Sequence, residues 1–173
     1  VFVPGMLPGE TADVRIVKTA DRYAFGKQIS APSPVSSERR VSDCDVFPRC
    51  GGCTCRHMSY ETTLEAKRQQ VKDCFLRIAK IDIPVEPVLG MDSPFAYRNK
   101  TALPVGGTAE KPVLGFYAPR SHDIIPADHC PNAMEPSADI SRVFLSWMRD
   151  HRIEPYHEEP HKGLIRHLVI RIN

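Results

Sequence analysis

CDVFPRCGGC, residues 44–53, is the stretch around which this chain is organised, and a further cysteine stands far from it in the dipeptide Cys130-Pro131. Thiolates are soft ligands, so four of them select zinc or an iron-sulfur cluster. Structural zinc sites usually take their ligands in two short pairs, whereas three local ligands and one remote ligand favour a [4Fe-4S] cubane. Gly51 and Gly52 would let the backbone wrap closely and aim N–H groups at sulfur. The predicted cluster and metal ligands are Cys44, Cys50, Cys53 and Cys130.

Two other readings of the cysteines stay open. Six cysteines could pair as disulfides in a secreted protein, although the chain has no apolar signal segment and is long for a cysteine-stapled miniprotein. Zinc could occupy the four-thiolate site, either as its resident metal or in place of a lost cluster. Cys55 and Cys74 are left over, and Cys74, which lies in a helical pattern, is predicted to be a small buried apolar residue.

Composition limits the class of protein. The chain has 173 residues, 42% of them hydrophobic and 25% charged, which is typical of a soluble globular protein. It contains no run of about 18 apolar residues, so we expect a cytoplasmic location, no membrane partner and a monomer. The net charge of +2 gives no global basic field, and a nucleic-acid partner must be argued from local patches. The absence of an initiator Met at Val1 and the strand-like end at Asn173 predict a segment of a longer protein.

The first half of the chain changes from strand to helix. Residues 1–40 read as two or three β-strands followed by a Ser/Pro-rich linker at 30–37, too few strands to close a barrel. Ser59 is a predicted N-cap for a helix that runs to about Lys80. Pro84 and the residues after it predict an extended stretch.

The second half reads as an antiparallel sheet with one helix. Strands are predicted over Tyr97–Val105 and Val113–Ala118, with a loop that starts at Gly106-Gly107, and the chain then leads to Cys130. Ser137 is the predicted N-cap of the second helix, whose apolar residues follow helical spacing: Ile140, Val143, Phe144, Trp147 and Met148. A last strand is predicted over Leu164–Ile172.

Basic and aromatic residues suggest contact with single-stranded RNA, which is commonly held by stacking beside phosphate partners. Some of these basic and aromatic residues lie on or beside the predicted strands, and the others lie in the basic stretch 56–80. A solvated helix face and ordinary core aromatics would also explain them. The candidate RNA-binding residues are Arg56, Lys67, Arg68, Tyr97, Arg98, Lys100, Phe116 and Arg120.

One catalytic pattern is rejected. Residues 157–161 match H-E-x-x-H, but Pro160 inside the pattern and Pro155 before it argue against the helix that this zinc motif requires. No glycine-rich loop has the strand-to-helix context of a nucleotide site. We therefore predict no catalytic residue in this chain.

Several motifs in order resemble a known family: VPGMLPGE at 3–10, the cysteine stretch, YRNK at 97–100, GFY at 115–117, Cys130-Pro131 and LIRHLVIR at 164–171. Together these are similar to the 23S ribosomal RNA (uracil-5-)-methyltransferases that carry a TRAM domain and a [4Fe-4S] cluster. The resemblance implies an α+β chain. Residues 1–40 would be the C-terminal part of an OB-like TRAM barrel, and residues 41–173 a mixed α/β central domain with an antiparallel sheet and two main helices around the iron-sulfur loop.

The resemblance also implies where the chemistry lies. In that family an S-adenosylmethionine-dependent domain methylates C5 of a uridine, and the present motifs precede that domain. The implied partner is a single-stranded or loop uridine region of 23S rRNA. Two alternatives stay open. One is a TRAM-containing radical S-adenosylmethionine protein, although that class uses Cys-x3-Cys-x2-Cys. The other is a zinc-stabilised RNA-binding module.

Overall fold

The structure is a computed structural model that describes residues 1–127 and 129–173. As predicted, this part of the chain is mixed α and β, with antiparallel sheets and two α-helices. In chain order the elements are β1 (Val14–Thr19), β2 (Ala24–Gln28), α1 (Tyr60–Cys74), β3 (Lys100–Gly107), β4 (Pro112–Tyr117), β5 (Ile124–Pro126), α2 (Pro136–Asp150) and β6 (His167–Arg171).

The chain forms two compact units. The first unit comprises Val1–Ser42 and Thr54–Gly90, and the second unit comprises Asp43–Cys53 and Met91–Asn173. The cysteine stretch is thus grouped with the residues that follow Gly90. The domain boundary near residue 40 stays a prediction.

In the first unit, β1 and β2 form an antiparallel pair that runs from Val14 opposite Gln28 to Thr19 opposite Ala24. Phe2 adds a single bridge beside β2, where its N–H donates to the Ala24 carbonyl at 2.7 Å. The rings of Phe2 and Phe25 lie 5.7 Å apart. The predicted β structure is therefore present, and within the described residues these strands do not close into a barrel.

A buried ion pair stabilises the same unit. The Arg39 Nε donates to Glu10 Oε1 at 2.6 Å, Arg39 Nη2 donates to Glu10 Oε2, and the Leu7 N–H also donates to Oε2 at 2.9 Å. The Glu10 side chain has no exposed surface. Hydrogen bonds from Arg39 lower the pKa of Glu10 to about 2, although burial of the carboxylate acts in the opposite direction.

Helix α1 begins where the sequence predicts. The Ser59 hydroxyl accepts a hydrogen bond from the Thr62 N–H at 3.2 Å. The Glu38 carboxylate accepts hydrogen bonds from the Ser59 hydroxyl at 2.9 Å and from the Thr62 hydroxyl at 2.6 Å. The last turn, Phe75–Ala79, is π-helical and ends at Lys80 with a φ of 59°. No residue of α1 is buried.

The second unit contains a four-stranded antiparallel sheet in the order β5-β4-β3-β6. Its core consists of one helix residue and residues of three strands: Met148, Leu103, Val105, Leu114 and Ile170. Gly106 and Gly107, predicted as the start of a loop, instead pair with β4 at the end of β3.

Helix α2 differs from the prediction in two ways. Its N-cap is Glu135, and Ser137 lies inside the first turn, because Pro136 takes the first helical position. The predicted apolar face is also wrong in part, since Val143 is 70% exposed and the buried residues are two serines and one methionine. The buried side of the helix thus includes two serines, which hydrophobic spacing cannot reveal. The buried residues are Ser137, Ser141 and Met148.

Residues 157–161 form a turn closed by a hydrogen bond from the His157 N–H to the Lys162 carbonyl at 2.7 Å. The rejection of a zinc-binding helix at H-E-x-x-H is therefore confirmed. No helix in the described ranges has the length and apolar character needed to cross a membrane.

Candidate metal centre

The cysteine stretch is a series of turns anchored to the sheet of the second unit. The Cys50 N–H donates to the Val46 carbonyl at 2.9 Å, and the Gly51 N–H donates to the Tyr117 carbonyl at the end of β4, also at 2.9 Å. A Cβ at position 51 would lie 2.7 Å from that carbonyl oxygen. Glycine is therefore required at this position for steric reasons, and the loop is held by the strand end.

Cys130 reaches the same region from β5 and is fixed by the residues after it. The Ala133 N–H donates to the Cys130 carbonyl at 2.9 Å. The next residues pair with segment 96–98: the Ala96 N–H donates to the Pro131 carbonyl at 2.8 Å, and the Arg98 N–H donates to the Asn132 carbonyl at 2.9 Å. The remote cysteine thus directly precedes a segment that is hydrogen-bonded to residues 96–98 within the second unit.

The four predicted ligands all lie in the second unit. Burial raises the pKa of the Cys50 thiol; the Gly52 N–H opposes this shift, and the charges of Cys53, Cys130 and Cys44 add to it. The Cys50 thiol is therefore within electrostatic range of the other three cysteines. Cys50 is buried and the other three are half-buried.

Two of these sulfurs accept hydrogen bonds. The Gly52 N–H donates to Cys50 Sγ at 3.3 Å, and the Asn132 side-chain amide donates to Cys53 Sγ at 3.3 Å. Such N–H donors stabilise anionic sulfur, which is the form that binds metal. The donor set therefore fits a thiolate-bound group.

The two leftover cysteines lie elsewhere. Cys55 and Cys74 belong to the first unit and are exposed. The prediction that Cys74 is buried is wrong, because α1 buries none of its residues.

Within the described ranges, no group of three or more His, Cys, Asp or Glu side chains is arranged to hold a metal ion.

Arg98, a predicted RNA-binding residue, is half-buried. Burial opposes its charge, but a hydrogen bond with Tyr97 and the charges of Tyr97, Cys130 and Cys53 outweigh this, so the pKa of Arg98 is raised. Its guanidinium carbon lies 5.9 Å from the centre of the Tyr97 ring.

The remaining candidate RNA-binding residues occupy different environments. Phe116 packs against the core of the second unit, and the Arg68 Nε donates to the Val85 carbonyl at 2.7 Å. Arg56 is half-buried. The exposed candidates are Lys67 in the first unit and Tyr97, Lys100 and Arg120 in the second.

Asn132 is the functional candidate that the sequence reasoning did not find. It is 7% exposed and donates to Cys53, yet it lies 79 positions from Cys53 in the chain. Its position two residues after Cys130 is the only signal that could have indicated it.

Comparisons with known proteins bear on the TRAM and RNA-methyltransferase predictions. Residues 1–29 match the family model described as the TRAM domain. A protein of Clostridium tetani described as an uncharacterized RNA methyltransferase is 43% identical over 171 residues, which are 99% of this chain and 37% of that protein. A protein of Bacillus cereus with the same description is 38% identical, with coverage of 99% and 37%.

A solved structure has the same fold. Pyrococcus abyssi tRNA (uracil-54, C5)-methyltransferase, in complex with S-adenosyl-L-homocysteine, superimposes with a TM-score of 0.65 at 22% identity, over 98% of this chain and 37% of that one. The chain thus has a TRAM segment and homologues named RNA methyltransferases, and it spans about 37% of the length of these relatives.

Proposed function

We propose that this chain is the RNA-recognition and [4Fe-4S]-binding segment of an S-adenosylmethionine-dependent methyltransferase that forms 5-methyluridine in 23S rRNA. The observation that carries the proposal is that Cys44, Cys50, Cys53 and Cys130 lie in one unit, where the charges of the other three act on Cys50 and N–H groups donate to two of the sulfurs. The TRAM match and the names of the relatives support the RNA-methyltransferase part.

The ligand spacing in the sequence favours a cubane over a single zinc ion, because three of the ligands are local and one is remote. The charges of Cys44, Cys53 and Cys130 act on the buried Cys50 thiol. Four protein ligands leave no iron open for substrate, so the cluster has a structural and RNA-positioning role.

RNA contact is proposed for exposed residues that combine charge with an aromatic ring. Tyr97 and Lys100 lie at the start of β3, and Arg120 follows β4. An aromatic ring beside cationic groups can stack on an unpaired base while the cations bind phosphate. Lys67 on α1 would add a phosphate contact in the first unit. Methyl transfer and the binding of S-adenosylmethionine are proposed for the parent protein, and no residue of this chain is assigned to catalysis.

The cluster is tested by anaerobic purification of the chain followed by iron, sulfide and zinc analysis. We expect brown protein with a broad visible absorbance band and about four irons per chain. Cys130→Ser should lose the iron and destabilise the second unit, whereas the matched variant Cys55→Ser should keep it. Equimolar zinc in colourless protein, or full iron content in Cys130→Ser, would contradict the proposal.

The substrate is tested with the full-length parent protein. Incubation with labelled S-adenosylmethionine and defined 23S rRNA fragments should yield 5-methyluridine at one or a few uridines, identified by mass spectrometry. Transfer to tRNA but not to rRNA would overturn the choice of substrate and leave the class of enzyme intact.

A further inference from the structure

Helix α1 carries an apolar row that stays open to solvent. Neither α1 nor the π-helical turn after it has a buried residue. Val71, Phe75 and Ile78 follow the spacing i, i+4, i+7 and therefore lie on one side of the helix. All three are exposed, Ile78 by 80%. A helix in a protein gains most of its stability by packing an apolar face, and within the described residues this face is not packed.

A groove runs along α1 beside this row. Its volume is about 630 Å³, and its walls are mainly apolar. Ile78 belongs to both the row and the groove, so the two surfaces adjoin. All of the residues that line the groove are in the first unit. The apolar ones are Leu7, Pro8, Met58, Ala66, Cys74 and Ile78.

The charges of the groove favour a protein segment over RNA. Among its described lining residues, Arg77 carries the only positive charge, and its Nη2 lies 3.5 Å from the Asp73 carboxylate. Glu65 adds a second carboxylate. RNA phosphates need cations that are available to them, and here they would meet a net negative charge. Apolar walls with a few polar groups instead fit apolar side chains of a protein.

The lengths of the relatives indicate where such a segment lies. The matched part is only 37% of the Clostridium tetani protein, so the larger part of such a protein is outside residues 1–173. A large open apolar surface usually marks an interaction site. We propose that the groove along α1 binds an apolar segment of the methyl-transferring part of the parent protein, and that Cys74 is buried in this contact. The inference rests on the proposed parent methyltransferase and does not depend on the iron-sulfur cluster.

Two cysteines allow a direct test. Cys74 lines the groove, whereas Cys55, which is also exposed in the first unit, is not among the described residues that line it. The chain of residues 1–173 and the full-length parent are labelled with a maleimide, before and after nuclease treatment. Mass spectrometry of the peptides gives the rate for each cysteine. The groove variant is Ile78→Lys, and the control is Val41→Lys at a side chain that is 98% exposed. Circular dichroism checks that each variant is folded.

We expect Cys74 to react about tenfold more slowly in the parent than in the chain, because a covered thiol is not accessible to the reagent. The rate for Cys55 should be similar in both. In the parent, Ile78→Lys should raise the Cys74 rate about fivefold, since a charge in the groove opposes the binding of apolar side chains. Val41→Lys should leave both rates unchanged.

Equal Cys74 rates in the chain and the parent would overturn the inference, and this wild-type comparison decides the question if Ile78→Lys fails to fold. Protection that a folded Ile78→Lys parent retains would also overturn it. Protection that nuclease removes would assign the groove to RNA, and protection of the chain that rises with its concentration would assign it to a second copy. A parent that protects Cys74 but methylates no RNA would refute the proposed function alone.

Discussion

In the second unit, the buried core consists of apolar side chains from three strands and one helix, whereas in the first unit the best-buried contacts are polar. Met148 has no exposed surface, and the sheet residues around it are at most 5% exposed. The first unit instead relies on the Glu10–Arg39 pair and on the Glu38 carboxylate at the start of α1. Among the described residues of that unit, Leu7 alone is a buried apolar side chain.

The difference indicates which unit is suited to hold a cluster. Close packing gives fixed side-chain positions, and the four thiols and their N–H donors are attached to that packed sheet through Tyr117 and segment 96–98. Polar contacts depend on ionisation and are more easily altered by pH. The following predictions test this contrast, beginning with the largest expected effect.

Met148→Ala should lower the free energy of unfolding by about 2–5 kcal/mol, because it removes a fully buried side chain and leaves a cavity. Val143→Ala on the same helix, where the side chain is 70% exposed, should change it by less than about 0.5 kcal/mol. Urea denaturation measures both values, and hydrogen exchange should locate the loss in residues 91–173. Equal effects of the two variants would refute the assigned core.

Gly51→Ala should lower the free energy of unfolding by about 1–3 kcal/mol, because the new Cβ would lie 2.7 Å from the Tyr117 carbonyl oxygen. Iron content after reconstitution should fall with it. Gly52→Ala is the comparison, since its Cβ would meet Cys50 Sγ at the milder distance of 3.3 Å. Wild-type stability and iron content in Gly51→Ala would show that the loop is not anchored at Tyr117.

Ser59→Ala should cost about 1 kcal/mol through loss of the α1 N-cap. Ser137→Ala on α2 is the matched variant, because that hydroxyl makes no hydrogen bond within the described residues, and its removal should be close to neutral. Hydrogen exchange of the first turn of each helix measures the effect. A larger loss of stability for Ser137→Ala than for Ser59→Ala would contradict this assignment and would support Ser137 as the N-cap of α2, as the sequence predicts.

The smallest effect is expected from the Glu10–Arg39 ion pair, whose contribution makes the stability of the first unit depend on pH only in acid. The folded-state pKa of Glu10 is lowered from 4.5 to about 2, so its stabilising contribution is complete above the unfolded value and is lost as the pH falls through the folded one. Between about pH 5 and pH 2 the Tm should fall by several degrees. Glu10→Gln should flatten this dependence, whereas Glu110→Gln at an exposed turn should leave it unchanged. If the Tm of Glu10→Gln depends on pH in the same way as that of the wild type, the ion pair does not contribute to stability in acid.

The sequence predicted those features that depend on neighbouring residues. Ser59 and the helical spacing after it located α1, and alternation with turn residues located β3, β4 and β6. The sequence failed where distant residues decide the outcome. It placed Ile140 and Val143 on the inner face of α2, because apolar spacing cannot register that the buried residues of this helix include Ser137 and Ser141.

The candidate site also contains residues that local sequence patterns predict and residues that they do not. Cys44, Cys50 and Cys53 are evident from local spacing, and Cys130 from its residue type and the proline after it. The hydrogen bond from Asn132 to Cys53 joins residues far apart in the chain, and Asn132 itself is held by pairing between segments 96–98 and 131–134, which no local pattern encodes.

By itself, then, the sequence determined the candidate ligands and most of the helices and strands, because metal-binding residue types and backbone preferences depend on a residue and its near neighbours in the chain. Only the tertiary structure decided which face of α2 is buried, that Cys74 is exposed, and that the Asn132 amide donates to Cys53. Those outcomes depend on packing and on hydrogen bonds between residues that are far apart in the chain.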